Sequence, residues 1–190
     1  MLEASAIERR AARIKLLLMD CDGVLTDGRI WLLANGDEEK GFHVHDGLGL
    51  DLWHRAGLRS GIISGRTSNV VAQRAKDLKI EFVSQGAENK VDVFLALLKE
   101  AGVDDSDVAY IGDDLNDIPV LLRAELAVAV ADASEETRAA AHLITRAKGG
   151  HGAVREVIEL ILKSQGRWAD VREKYLKGGA VGGRQSSSRQ

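Results

Sequence analysis

Residues 14–28 read IKLLLMDCDGVLTDG, and the change of character in the middle of this stretch decides the fold. From Ile14 to Met19 only Lys15 is polar. A half-exposed strand would alternate apolar and polar residues, whereas a continuous apolar run suits a strand covered on both faces. The run then stops on two aspartates one residue apart, Asp20 and Asp22, followed by Gly23. A strand made for the interior thus ends in two carboxylates and a turn.

Five more short apolar runs follow, at 58–64, 80–84, 108–113, 126–130 and 142–145. Segments of helical period separate them, at 46–56, 67–78, 88–101, 115–124, 134–141 and 152–165. Strands alternating with helices predict an α/β fold, a doubly wound parallel sheet with helices on both faces. One stretch breaks the rhythm. TDGRIWLLANGDEEKGFHVHDG predicts a protruding β-hairpin over about 26–45, with strands near 28–33 and 39–45 around the turn residues Asn35, Gly36 and Asp37. Residues 1–177 are expected to form one domain opened by a short helix, and the Gly/Ser-rich stretch 178–190 a flexible tail.

Of the 190 residues, 45% are hydrophobic and the net charge is −3, so the chain can build a core and offers no overall electrostatic attraction to nucleic acid or a membrane surface. No apolar run approaches membrane-spanning length, and the N-terminal residues lack the apolar core of a signal peptide. The single cysteine, Cys21, cannot form an internal disulfide and reads as a small filler beside a strand end. A cytoplasmic location is expected.

Ligands of open parallel sheets bind beyond the carboxyl ends of the strands. The first strand delivers Asp20 and Asp22 there, the second Ser64, Gly65 and Arg66, and the fourth, ending in GDDLND, Asp113, Asp114 and Asp117. Lys90 opens the helix after the third strand. Each alone has a plain reading: a solvated turn, an N-cap with an acidic first turn, turn chemistry, a surface lysine. All four in order at one sheet edge point to a site. Crowded carboxylates repel, and a hard divalent cation such as Mg²⁺, which prefers oxygen ligands, relieves the repulsion. An aspartate can attack phosphorus, and Asp22 is spaced to protonate the leaving oxygen and later activate water. Ser64, the Gly65 amide and Lys90 can hold the other phosphoryl oxygens.

These motifs resemble the haloacid-dehalogenase superfamily of phosphatases over nearly the whole chain. DCDGVLTDG, ISGR, GDDLND, AVADA and GGHGAVRE resemble in particular the phosphatases of 3-deoxy-D-manno-octulosonate (KDO) 8-phosphate, which supply a precursor of lipopolysaccharide. The resemblance implies Asp20 as nucleophile and Asp22 as general acid and base. It implies Mg²⁺ on Asp20, the Asp22 carbonyl and Asp113, with Asp114 and Asp117 in support, and the phosphoryl group on Ser64 and Lys90. It also implies a capless subfamily, assembled as a homotetramer through the hairpins, with a neighbour's segment at about 147–156 covering the site. The apolar hairpin residues 30–33 suit such packing.

Substrate contacts in this family come from the segment after the hairpin, here His43, Val44, His45, Asp46, Gly47 and Asp51, and from Gly65, Arg66 and Arg74. The family usually reads F-N-V-R-D-G-Y-G-I-R where this chain reads FHVHDGLGLD, so His45 and Asp51 replace arginines, and His151 replaces another in GGRGAVRE. Arginine's fork suits the carboxylate of a sugar acid. Arg66 and Arg74 remain to bind it. The expected substrate is KDO 8-phosphate, with a sialic acid 9-phosphate as the alternative. A signalling receiver domain is the remote alternative, but its phosphorylated aspartate ends the third strand, where this chain has Ser84, Gln85 and Gly86.

Overall fold

The structure, a computed structural model, describes residues 3–177, so the expected tail at 178–190 lies outside the described residues. Helix α1 (Ala4–Ala11) leads into strand β1 (Leu16–Met19). A small hairpin, β2 (Trp31–Leu32) and β3 (Glu38–Glu39), follows and runs into α2 (Val44–Arg55). Then come β4 (Arg59–Ile63), α3 (Asn69–Asp77), β5 (Phe82–Ser84), α4 (Lys90–Ala101), β6 (Val108–Gly112), α5 (Ile118–Leu121) and β7 (Leu126–Ala129). The chain continues through α6 (Glu135–Ala140), β8 (Leu143–Ile144), α7 (Ala153–Ser164) and α8 (Trp168–Lys177).

Six strands form one sheet in the order β5-β4-β1-β6-β7-β8, and every pairing in it is parallel. β1 sits in the middle, with Leu16 opposite Arg59 on one side and Val108 on the other. The chain moves outward from β1 to β4 and β5, then crosses back to β6. The sheet therefore reverses direction beside β1, and a ligand crevice belongs at that edge.

Successive side chains on β1 feed two separate cores, as the pleat requires. Leu17 and Met19 join Leu50, Trp53, Val71, Val157 and Ile161 on one face. Leu16 and Leu18 join Phe82, Phe94, Leu98 and Val120 on the other. Trp53, wholly buried, also donates its indole N–H to the Arg59 carbonyl at 2.7 Å, fixing α2 to the sheet.

Two expectations need correction. The return strand of the hairpin ends at Glu39 rather than 45; Phe42 makes only an isolated antiparallel bridge with Thr26, and the helix begins at Val44. His43 explains the switch, since its Nδ1 accepts the His45 N–H and caps α2. Helix α8, absent from the expected set, packs Trp168 and Val171 on the first core.

Candidate active site

Asp20 continues β1, its own N–H bonded to the Ile111 carbonyl of β6 at 2.9 Å. Its Oδ1 accepts the Cys21 N–H at 2.7 Å, and its Oδ2 lies 3.0 Å from Lys90 Nζ. Asp113, one residue past β6, turns in from the other side. Gly23 admits it: φ is +89°, and the Asp113 carboxylate fills the place of a Cβ. Asp117 lies fully buried at the start of α5. Its Oδ1 accepts from Lys90 Nζ at 2.7 Å and from the Tyr110 hydroxyl at 2.6 Å, and its Oδ2 accepts from the Asp113 amide at 2.9 Å.

Lys90 is the first residue of α4, whose Asn89 cap accepts the Val91 N–H. A cation there opposes the helix dipole. Asp20 and Asp117 hold it in place: burial pulls the Lys90 pKa down, but the two carboxylates carry it above the ordinary value. One buried ammonium faces three carboxylates, and the imbalance shows. Burial, then the charges of Asp20 and Asp117, raises Asp113 to about 8. Burial and Asp117 raise Asp20 to about 6 against the pull of Lys90. Burial drives Tyr110 well upward, and it also raises Cys21, aided by Asp22 and Asp20, which leaves the thiol an inert filler.

This arrangement fits a hard cation. One oxygen each of Asp20, Asp113 and Asp117 lies within 4.8 Å of the others, and Asp113 Oδ1 is buried without a hydrogen-bond partner. Each Asp117 oxygen already accepts two hydrogen bonds, whereas among the described residues each Asp20 oxygen has one partner and Asp113 Oδ1 none, so the free ligand capacity belongs to Asp20 and Asp113. Asp114 stands apart; it is exposed, and its Oδ1 accepts the Leu115 N–H at 2.8 Å as a cap.

Ser64 follows β4, buried, with its Oγ accepting the Arg66 N–H at 3.2 Å. It shares the carboxyl edge with Asp20, since β4 pairs with β1. The Arg66 side chain reaches toward Asp22, 3.8 Å away, and Glu38 at 3.4 Å. Lys40, which sequence reasoning overlooked, packs its Nζ 2.6 and 2.9 Å from the two Asp22 oxygens. Its only sequence signal is its place in EEKGF, directly after the return strand of a hairpin that springs from the Asp22 loop.

A cavity of about 930 Å³ opens between the hairpin and α3, lined by Lys40, Phe42, Arg66, Asn69, Gln73 and Arg74, among others. Arg74 lies against the Phe42 ring at 5.5 Å, and its Nε is buried without a partner. Its guanidinium lies where a side chain at Gly47 would point. The other residues expected after the hairpin divide. His43 lies beside His45 and His151, with ring centroids 4.9 and 6.5 Å away, and Val44 is exposed. Asp46 is buried as a tie between helices, accepting from Gly152 N at 3.1 Å and Arg155 N at 2.8 Å. Asp51 lies apart from the carboxylate cluster, its Oδ2 bound by Arg55 at 2.6 Å and by the Tyr175 hydroxyl at 3.4 Å.

Residues 147–156, expected to reach a neighbour, pack on their own chain. Gly150 N bonds the Val24 carbonyl at 2.9 Å, and Gly149 N bonds Asp132 Oδ1 at 3.0 Å. A Cβ on Gly149 would lie 1.7 Å from the Gly23 carbonyl oxygen. Ala153 and Val154 are core residues. This segment therefore braces the loop that carries Asp22. Between β1 and β4 the described residues contain the hairpin and one helix and no cap domain.

Three comparisons agree with this architecture. The family of haloacid dehalogenase-like hydrolases matches residues 60–158. The 3-deoxy-D-manno-octulosonate 8-phosphate phosphatase KdsC of Escherichia coli K12 is 43% identical over 158 residues, covering 83% of this chain and 84% of that protein. A crystal structure of a probable YrbI family phosphatase from Pseudomonas syringae superposes with a TM-score of 0.89 at 45% identity, covering 91% and 98% of the two chains. That of 3-deoxy-D-manno-octulosonate 8-phosphate phosphatase from Moraxella catarrhalis, in complex with magnesium, phosphate and KDO, gives 0.89 at 42% identity, covering 91% and 99%. The chain belongs to the haloacid dehalogenase-like hydrolase family, among its 3-deoxy-D-manno-octulosonate 8-phosphate phosphatase-like members.

Proposed function

We propose that this protein hydrolyses KDO 8-phosphate to KDO and inorganic phosphate, with Asp20 as nucleophile. The observation that carries the reading is the pairing of Asp20 with Asp113: two carboxylates facing each other in a buried crevice with too little countercharge, beside a lysine and a buried serine. Two relatives whose names carry this substrate, at 43% and 42% identity, support it.

In the first step an Asp20 oxygen bonds to phosphorus as the bond to the sugar oxygen breaks, and Asp22 gives that oxygen its proton. In the second, Asp22 takes a proton from water while the water oxygen attacks the acyl phosphate. The Asp20 carboxylate then departs, and inorganic phosphate is released. Ser64, the Gly65 amide and Lys90 hold the remaining phosphoryl oxygens. Asp117 keeps Lys90 charged and in place. Mg²⁺ would be held by Asp20, the Asp22 carbonyl and Asp113, and when bound supplies the positive charge that lets two anions meet.

We assign the sugar-acid carboxylate to Arg66 and Arg74, which both line the cavity beside the hairpin, and further sugar contacts to His43, Val44, His45 and Gly47. We read the chain as one catalytic domain that assembles as a homotetramer through its hairpins. Trp31, Leu32 and Leu33, exposed at 44, 78 and 40%, support this. We place it in the cytoplasm, where the Cys21 thiol stays reduced.

The test is phosphate release with Mg²⁺ from a panel holding KDO 8-phosphate, sialic acid 9-phosphates and hexose phosphates. The expected result is a kcat/KM for KDO 8-phosphate at least about tenfold above the rest, a difference of about 1.4 kcal/mol in transition-state binding. Preference for a sialic acid 9-phosphate would reassign the substrate and leave the chemistry in place.

A further inference from the structure

Lysine ordinarily stretches its stem so that the ammonium reaches water. Lys40 does the reverse. Its side chain has no solvent exposure, although it sits at the base of a hairpin whose tip is open. Its Nζ lies 2.6 and 2.9 Å from the two oxygens of Asp22 and 3.6 Å from Glu38 Oε1. Arg66 closes the figure, 3.8 Å from Asp22 and 3.4 Å from Glu38. The hairpin supplies two of these four charged groups, and the Thr26–Phe42 bridge fixes its base two residues beyond Lys40. Lys90 is the cation paired with Asp20 and Asp117. The two lysines therefore have separate duties, one toward the attacked phosphoryl group and the other toward Asp22.

We infer that Lys40 is the positioning residue for Asp22, so that the hairpin is a working part of the hydrolase and not only a packing arm. The inference rests on the reading of Asp22 as the group that protonates the leaving oxygen. A carboxyl group on a glycine-flanked loop has several rotamers, and proton delivery needs one of them. A charge-assisted contact to both oxygens selects one orientation. When substrate enters, the ammonium keeps one Asp22 oxygen while the other, carrying a proton taken from solvent, turns to the leaving group. No proton passes through Lys40 itself.

This role has a signature that plain structural support lacks. An alkyl leaving group must be protonated as it departs, whereas p-nitrophenolate leaves unaided. The quantity kcat/KM covers only the steps up to departure of that group, so the later attack of water, common to every substrate, drops out. The experiment measures kcat/KM of the full-length Mg²⁺-loaded enzyme on KDO 8-phosphate and on p-nitrophenyl phosphate, for the parent, K40M, K40R, D22N and the D22N/K40M pair. K40M is expected to lose about a hundredfold or more on KDO 8-phosphate and less than about tenfold on p-nitrophenyl phosphate. K40R should recover most of the loss. K40M added to D22N should cost less than about twofold, because the two groups act as a unit. Hydrolysis of p-nitrophenyl phosphate reports the fold within the same assay, and K40Q replaces K40M should that variant not fold. Equal losses on both esters, or a full K40M loss persisting in D22N, would overturn the role of Lys40 alone. Equal losses in D22N itself would overturn the reading of Asp22 and the inference with it.

Discussion

Gly23 and Asp113 compete for one volume: a Cβ on Gly23 would lie 2.1 Å from Asp113 Oδ2. Gly23 also has φ +89°, which costs a side-chain-bearing residue about 1–3 kcal/mol. Gly23→Ala is therefore expected to lower stability by that amount and to push the Asp113 carboxylate out of the crevice. The Mg²⁺ concentration needed for half-maximal turnover should rise at least about tenfold, read from a metal titration beside a thermal melt. An unchanged metal requirement would mean that Asp113 does not hold the cation.

Asp20→Asn should abolish turnover, by more than about a thousandfold, while the melting temperature holds or rises. The amide removes one of the carboxylates that raise Asp113, and Lys90 keeps Asp117 at 2.7 Å. Retained phosphate release would show that another group attacks phosphorus.

Metal-free protein should become more stable as pH falls from about 8 to about 6.5. Asp113, raised to about 8, and Asp20, raised to about 6, bind protons in the fold over a range where the unfolded chain, near 3.8, binds none. Raised acids weaken the fold above their unfolded pKa, and protonation removes the penalty. The expected gain is on the order of 1–2 kcal/mol. Below 6.5 the gain is partly offset: burial holds His54 and His142 beneath that value, so the unfolded chain takes up those protons first. Urea unfolding with EDTA across this range checks the slope, and saturating Mg²⁺ should flatten or reverse it.

Asp51→Arg tests the position where the family's arginine is replaced. If Asp51 faced the substrate, the change would tighten binding of a carboxylate. Asp51 instead pairs with Arg55 and Tyr175, so kcat/KM should stay within about twofold and stability should fall only slightly. A several-fold drop in KM would put this residue back at the substrate.

Leu32→Glu places a charge on the most exposed apolar residue of the hairpin. Sedimentation should show a tetramer become a smaller species, while p-nitrophenyl phosphate hydrolysis persists, because the carboxylate cluster lies within one chain. An unchanged mass would remove the hairpin from the assembly contact.

The sheet and the carboxylate cluster were legible because they follow from local pattern. Continuous apolar runs announce buried parallel strands, and the residue after each strand falls at the ligand edge of any such sheet. Asp20, Ser64 and Asp113 needed nothing more. Lys40 did not follow from pattern. Reading 39–45 as strand makes it one charged residue in an exposed ribbon, whereas the ribbon stops at Glu39 and the chain folds inward. The partners of Asp51 were hidden for a related reason. Its partner Tyr175 lies on α8, a short charge-rich helix, WADVREKYLK, absent from the expected set. Gly149 was placed in the segment expected to cover a neighbour's site, and its close packing on Gly23 of its own chain left no mark in the pattern.

The order of strands in the sheet also governs when the chain becomes an enzyme. β1 is made early, but its two neighbours pair with it through Arg59 and Val108, the second of which leaves the ribosome much later. Until β6 docks, Asp20 has no Asp113 opposite it. A growing chain therefore carries its nucleophile without an opposing Asp113 until residue 113 has been added. The unfavourable meeting of carboxylates is deferred to a late event, when a cation from the surroundings can ease it. Long-range parallel pairing is slow to form, so the site comes together only after the central strand has both its neighbours.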